Sequence, residues 1–229
     1  MLLLEAEQRE WNERLAGLGG DPATFDFSAF RPLRLSREED WSDWLAHLLE
    51  TSKTGRLAGS LFAGGRTSSV RREVPLAGGA RRADLLLHWD EATATHLEVK
   101  VGDESFEKTF ETAGHVEGEN PKTLTWRHLV LILPRQVKTW KQTAGARTTI
   151  GVVTWESVAI GLRRELWESA ETVAWRVWAL TFCAAIEQTL LGLPHLSNEV
   201  RARPDSATAA NRARRLPILQ RARQPETST

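Results

Sequence analysis

Between Arg82 and Val101 the hydrophobic positions recur every second residue, the period of a half-buried strand. Leu85, Leu87 and Trp89 share one face of a strand over residues 82–89, and Leu97, Val99 and Val101 share one face of a second over 95–101. The opposite faces carry Asp84, Leu86 and His88, then His96, Glu98 and Lys100. A loop centred near Glu91 sets an antiparallel register with Asp84 directly across from Glu98 and Lys100 one repeat further along. Upstream, Ser36 with Glu39 three residues on is a capping-box signature. Trp41, Trp44, Leu45, Leu48 and Leu49 then form one helical stripe. A strand over 70–76 turns at Gly78-Gly79, where glycine permits positive φ. Downstream, Asp103 caps a helix with Phe106, Phe110 and Ala113 on its inner side and a stop at Gly114. An apolar run from His128 to Pro134 predicts a buried strand. Residues 148–158 predict a strand entering a helix continued by Leu162 and Leu166. A long helix over about 171–191 is apolar round much of its circumference and is expected to be buried.

These alternations predict an α/β fold with a mixed central sheet flanked by helices. Three parts are expected: an N-terminal helix and loop over 1–35, an α/β domain over 36–195, and a flexible basic tail over 196–229. In the first part Leu3, Glu7, Trp11 and Leu15 predict a helix before a loop from Gly17 to Phe30. In the tail seven arginines stand among few large apolar residues. No apolar run approaches the roughly 18 residues of a membrane span, so the expected location is cytoplasmic and no membrane partner is expected. Cys183 is the single cysteine, which excludes an intrachain disulfide and a cysteine-zinc site. Phosphate-loop and nucleophile-elbow motifs are absent. The ten tryptophans fall mostly on core stripes (Trp41, Trp44, Trp89, Trp175, Trp178), leaving Trp126 and Trp140 near loops as candidate base-stackers.

Chemistry concentrates where Asp84 faces Glu98. Two carboxylates placed opposite each other repel and raise one another's pKa unless a cation compensates them. Magnesium, which takes a few carboxylate oxygens and keeps several waters, suits a site of Asp84, Glu98 and the backbone carbonyl of Val99. Lys100 would orient or help deprotonate the attacking water and offset phosphate charge. His88 and His96 lie on the same face, within reach of a phosphate or water. The structural alternative is a cross-strand salt bridge on a solvated sheet face.

Asp84 followed by Glu98-Val99-Lys100 resembles the signature of the PD-(D/E)XK nuclease superfamily. Ala83 stands where that family usually has proline. The run from Arg37 to Leu49 is similar to the helix that opens many members, and Glu38 is the residue matching the family's helical acid, with Glu39 assigned to the cap. The resemblance implies a restriction-endonuclease-like core of helix, three strands, helix and strand. It also implies cleavage of DNA phosphodiesters with Mg2+ or Mn2+, of the kind used in bacterial restriction, phage defence or repair. Asp84, Glu98, Lys100 and Glu38 would be catalytic. With a net charge of zero, binding must rest on local basic patches: Arg71, Arg72, Arg81 and Arg82 before Asp84, then Lys108, Lys122 and Arg127. Cleavage of both strands of a duplex would favour a homodimer, and the tail would contact DNA or a partner protein. The alternative function is a catalytically inactive module of the same fold, acting as a nucleic-acid-binding or assembly subunit.

Overall fold

The structure, a computed structural model, describes residues 2–24, 35–62, 64–102, 105–119, 123–145, 149–168, 170–193, 195 and 206–224. They form two compact units: Arg34–Trp155, and Met1–Leu33 together with Glu156–Thr229.

The first unit is an α/β layer structure. Helix α2 (Glu38–Thr51) and the short α3 (Arg56–Phe62) precede three strands, β1 (Ser69–Leu76), β2 (Arg81–His88) and β3 (Thr93–Val99). Helix α4 (Glu107–Glu119), β4 (Thr125–Ile132), α5 (Val137–Ala144) and β5 (Ile150–Thr154) follow. The five strands form one open sheet in the order β1-β2-β3-β4-β5. The first two junctions are antiparallel, and the two after β3 are parallel. Connection length accounts for this switch: short turns join β1 to β2 to β3, whereas helices carry the chain back across the sheet before β4 and β5.

Helix α2 buries Trp41, Leu45, Leu48 and Leu49, the stripe read from periodicity. Its start differs by one residue. Arg37 is the N-cap, and the Asp40 carboxylate accepts from the Arg37 and Ser36 N–H groups at 3.0 and 2.9 Å. Asp40, not Glu39, therefore completes the cap, and Glu39 is exposed. The turn between β1 and β2 uses positive φ at Gly78 (63°) and Gly79 (95°), as glycine allows. Helix α4 does not stop at Gly114 but runs on to Glu119, whose Oε1 accepts the Ala77 N–H of that turn at 2.7 Å. The proposed cap Asp103 lies outside the described residues.

The sheet face that bears Asp84 and Glu98 is not a solvated patch. Ala113 of α4 clusters with Val130 and Ile132, and Val130 is the β4 neighbour of Glu98. Val116 clusters with Leu86. The parallel strands need cover on both faces, so α4 lies over this one and β3 is buried from Ala94 to Val99. Trp140 is corrected too: it is 2% exposed, stacked on Phe110 and edge-on to Phe106, so it serves the core and presents no face to a base.

The second unit is helical: α1 (Leu2–Arg14), α6 (Trp155–Glu168) from its second residue, α7 (Val173–Ala185) with a π-helical turn (Ile186–Leu190), and α8 (Ser206–Arg223). Two sequence expectations change here. Helix α7 is only partly buried, with Val173 67%, Val177 43% and Trp178 42% exposed. The tail is no free extension over its described part, because α8 buries Arg215, Ile218, Leu219 and Ala222. Its arginines are spent within the unit: Arg223 on Glu7 and Glu10, Arg212 on Glu5, Arg221 on Glu156. At its centre Arg163 pairs with Asp21 at 3.0 Å and with Glu187 at 2.5 Å, and Arg215 pairs with Glu187 at 3.2 Å. All four side chains are at most 1% exposed. The divisions at residues 35 and 195 therefore give way to a helical unit made from both ends of the chain. Among the described residues no helix is long and apolar enough to cross a membrane.

Candidate active site at the ends of the central strands

The β2–β3 ladder pairs Leu86 with His96 and Leu85 with Leu97. One step further along the same register, Asp84 stands opposite Glu98. Beyond the last ladder pair the Asp84 carboxylate takes a backbone partner, accepting the Val99 N–H on Oδ2 at 2.7 Å. Glu98 Oε1 lies 3.3 Å from Lys100 Nζ, and both side chains are more than nine-tenths buried. Lys100 sits just past β3 with its backbone pinned on both sides. Its N–H donates to the Leu131 carbonyl at 2.8 Å, and its carbonyl accepts from Trp155 Nε1 at 3.0 Å.

Glu38, in the first turn of α2, reaches the same place. Its Oε1 accepts the Val101 N–H at 2.8 Å and its Oε2 lies 3.6 Å from Lys100 Nζ. Trp41, one turn along, packs edge-on against Trp155 and fixes the approach of the helix. Asp84, Glu98 and Glu38 line one open cleft of about 270 Å³ with Glu39, Glu73, Arg81, Arg82, Lys108 and Thr112. Four elements thus meet around Lys100.

Burial, reinforced by the Glu98 charge, pushes the Asp84 carboxyl up to about 8, against the opposing pull of the Val99 N–H and Lys100. Burial also works against ionisation of Glu98, but His96 and then Lys100 outweigh it and hold that carboxyl below its usual range. The facing pair therefore shares one proton, which resides on Asp84 at neutral pH. Burial disfavours the Lys100 ammonium, yet Glu98, Glu38 and Asp84 together raise its pKa. Lys100 is thus held as a cation beside Glu98 and Glu38.

A folded-state pKa above the ordinary value means that the native state keeps a proton the unfolded chain has lost. The Asp84 contribution is therefore fully present below 3.8 and declines as pH rises to about 8, with a slope of about 1.4 kcal/mol per pH unit. In chelator-treated buffer, the urea stability of the wild type relative to Asp84→Asn is expected to fall across that window. Parallel pH profiles for the two proteins would refute the shift.

Two buried histidines continue the line away from the cleft. His96 and His128 are register partners on β3 and β4, with Nδ1 to Nδ1 at 3.2 Å. His128 Nε2 meets the exposed Glu117 at 3.0 Å, and His96 Nε2 lies 3.6 Å from Glu98 Oε2. One proton is shared between the two Nδ1 atoms, so their tautomers are linked. His96 is thus a buried neighbour of Glu98, while His88 is half-buried and sits edge-on to Trp126.

The donor set fits a hard divalent cation. Glu98 Oε2 and Glu73 Oε1 are buried without a hydrogen-bond partner, and carboxylate oxygens are the ligands magnesium and manganese prefer. No group of three His, Cys, Asp or Glu side chains among the described residues already converges at metal-binding distances. For Val99 the observed contact is its N–H on Asp84. No protein-family model, curated protein or solved structure matches this chain.

The basic residues are more committed than their sequence suggested. Arg72 pairs with Asp43 at 2.9 Å, Arg81 with Glu111, and Arg82 with Glu73 at 3.1 Å. Arg127 donates to the Phe62 carbonyl at 3.0 Å. Arg71 is exposed and makes no ion pair among the described residues. Lys108 lies on the cleft wall, and Lys122 is outside the described residues. Glu73 escaped the sequence reading: nothing in the run Arg71-Arg72-Glu73-Val74 distinguishes it from a solvated strand acid. Only the register with β2 brings it beside Asp84.

Proposed function

We propose that the chain is a metal-dependent nuclease that hydrolyses phosphodiester bonds of DNA on a restriction-endonuclease-like core. The observation that carries this reading is the meeting of Asp84, Glu98 and Glu38, from β2, β3 and α2, at one open cleft, with Lys100, the residue after β3, buried against Glu98 and Glu38. The element order helix, three strands, helix, strand supports it, as does the change from antiparallel to parallel pairing after β3. A simple surface salt bridge would need neither the burial of Glu98 and Lys100 nor a protonated neighbour.

Asp84 and Glu98 would hold a Mg2+ or Mn2+ ion, which supplies positive charge to polarise the scissile phosphate when bound. Lys100, held as a cation by Glu98 and Glu38, would stabilise negative charge developing on the phosphate. Glu38 holds Lys100 from the far side and fixes the backbone at Val101. Arg81, Arg82 and Lys108, on the cleft wall, give backbone phosphates a place to bind.

The test is incubation of the full chain with supercoiled, linear and single-stranded DNA, with and without Mg2+ or Mn2+. Cation-dependent cleavage is expected, with loss of at least 100-fold in Asp84→Asn and in Glu98→Gln at unchanged DNA affinity. Binding without cleavage by the wild type under every condition would favour an inactive, DNA-binding module.

A further inference from the structure

We propose that Glu73 is a third carboxylate ligand for the divalent cation at Asp84 and Glu98, an inference that rests on the nuclease reading above. The β1–β2 ladder pairs Arg72 with Leu85 and Val74 with Ala83, and the residue between them, Glu73, breaks it. Its φ of 48° lies in the left-handed region, which a residue with a Cβ enters at a cost. By the same count Glu73 falls beside Asp84, as Asp84 falls beside Glu98. Three carboxylates therefore stand in one row across three neighbouring strands, each about 5 Å from the next strand.

The side chain is placed as a ligand would be. Glu73 lines the cleft with Asp84 and Glu98. Its Oε2 meets Arg82 at 3.1 Å, while its Oε1 is buried with no partner. At the other end of the row Glu98 has one oxygen on Lys100 and the other 3.6 Å from His96 Nε2. Pairing with Arg82, whose side chain is 59% exposed, does not account for these features. An exposed arginine is served equally well by an extended, solvated glutamate, with no backbone irregularity and no buried oxygen. Glu73 also adds to the negative field that keeps a proton on Asp84. A divalent cation displacing that proton would meet hard oxygen ligands on both sides of Asp84, and the number of carboxylates at a site tunes its affinity.

Titration of Mn2+ into the full chain, followed by electron paramagnetic resonance, tests the assignment without reference to activity. Glu73→Gln is expected to weaken Mn2+ binding at least tenfold. Glu73→Asp, which keeps the charge but shortens the reach, should weaken it as well. Arg82→Gln should tighten it, because the competing guanidinium is gone. Glu39→Gln makes the same charge change on the same cleft outside the row and should alter affinity less than threefold. Circular dichroism confirms that each variant is folded, and Glu73→Asp stands in if Glu73→Gln is not. Equal losses in Glu73→Gln and Glu39→Gln would reduce Glu73 to a distant charge and overturn the inference. Equal losses in Glu73→Gln and Arg82→Gln would make Glu73 only the partner of Arg82, with the same result. A wild type that binds no Mn2+ would instead overturn the metal site of the nuclease reading, and this inference with it.

Discussion

Lys100→Ala is expected to lower DNA cleavage about 1000-fold while leaving DNA affinity within a few-fold of the wild type, the loss typical of removing one preorganised electrostatic group. The same substitution is expected to cost roughly 3 kcal/mol of stability, because Glu98 stays behind, buried and deprived of its ammonium. Lys100→Arg separates charge from proton transfer. The three carboxylates that raise the Lys100 pKa make it a fixed cation, so a guanidinium should restore part of the lost rate despite its different shape. A lysine acting as a base would gain nothing from arginine. Rates from single-turnover cleavage and stabilities from urea melts check both halves. Full activity in Lys100→Ala would remove Lys100 from the chemistry and the nuclease reading with it.

The second large effect concerns the helical unit. Arg163→Ala should destabilise it by about 5 kcal/mol, since Asp21 and Glu187 would remain fully buried with only Arg215 to compensate them. Arg215→Ala should cost less, about 3 kcal/mol, because Glu187 keeps its closer partner Arg163. Removing residues 206–229 strips Arg215, Ile218 and Leu219 together and is expected to give an unfolded or aggregating unit. That outcome differs from the weakened DNA binding that a loose basic tail would show. Urea denaturation of the point variants and size-exclusion profiles of the truncated chain decide between them. A change below 1 kcal/mol in Arg163→Ala would mean that the four charges are not coupled in solution.

The parts of the molecule legible in the sequence are those that short-range patterning determines. Alternation and a tight loop set the Asp84–Glu98 register, and a 3.6-residue stripe marked α2 and separated Glu38 from Glu39. What stayed hidden depends on long-range contact. Asp21, Arg163, Glu187 and Arg215 are scattered over nearly the whole chain, and each alone resembles a surface charge. The arginines of α8 looked like a solvated run because their acidic partners lie on α1 and α6. Burial of the Asp84 face followed from α4, whose cover no period-two pattern reveals. The exposure of Trp178 and burial of Trp140 likewise depend on which neighbour arrives, and hydrophobic periodicity carries no such information.

The irregular backbone at Glu73 also bears on the edge of the sheet. Strand β1 lies at the edge of the sheet, where a regular row of unpaired amides and carbonyls would invite another chain to add a strand. A left-handed residue in its middle spoils the straight template, Pro75 withholds an amide from the ladder, and the exposed Arg71 sets a like charge against an approaching copy. The bend that turns a carboxylate toward the cleft thus also interrupts an edge strand, and a mutation that straightened β1 would favour strand addition there as well as moving Glu73.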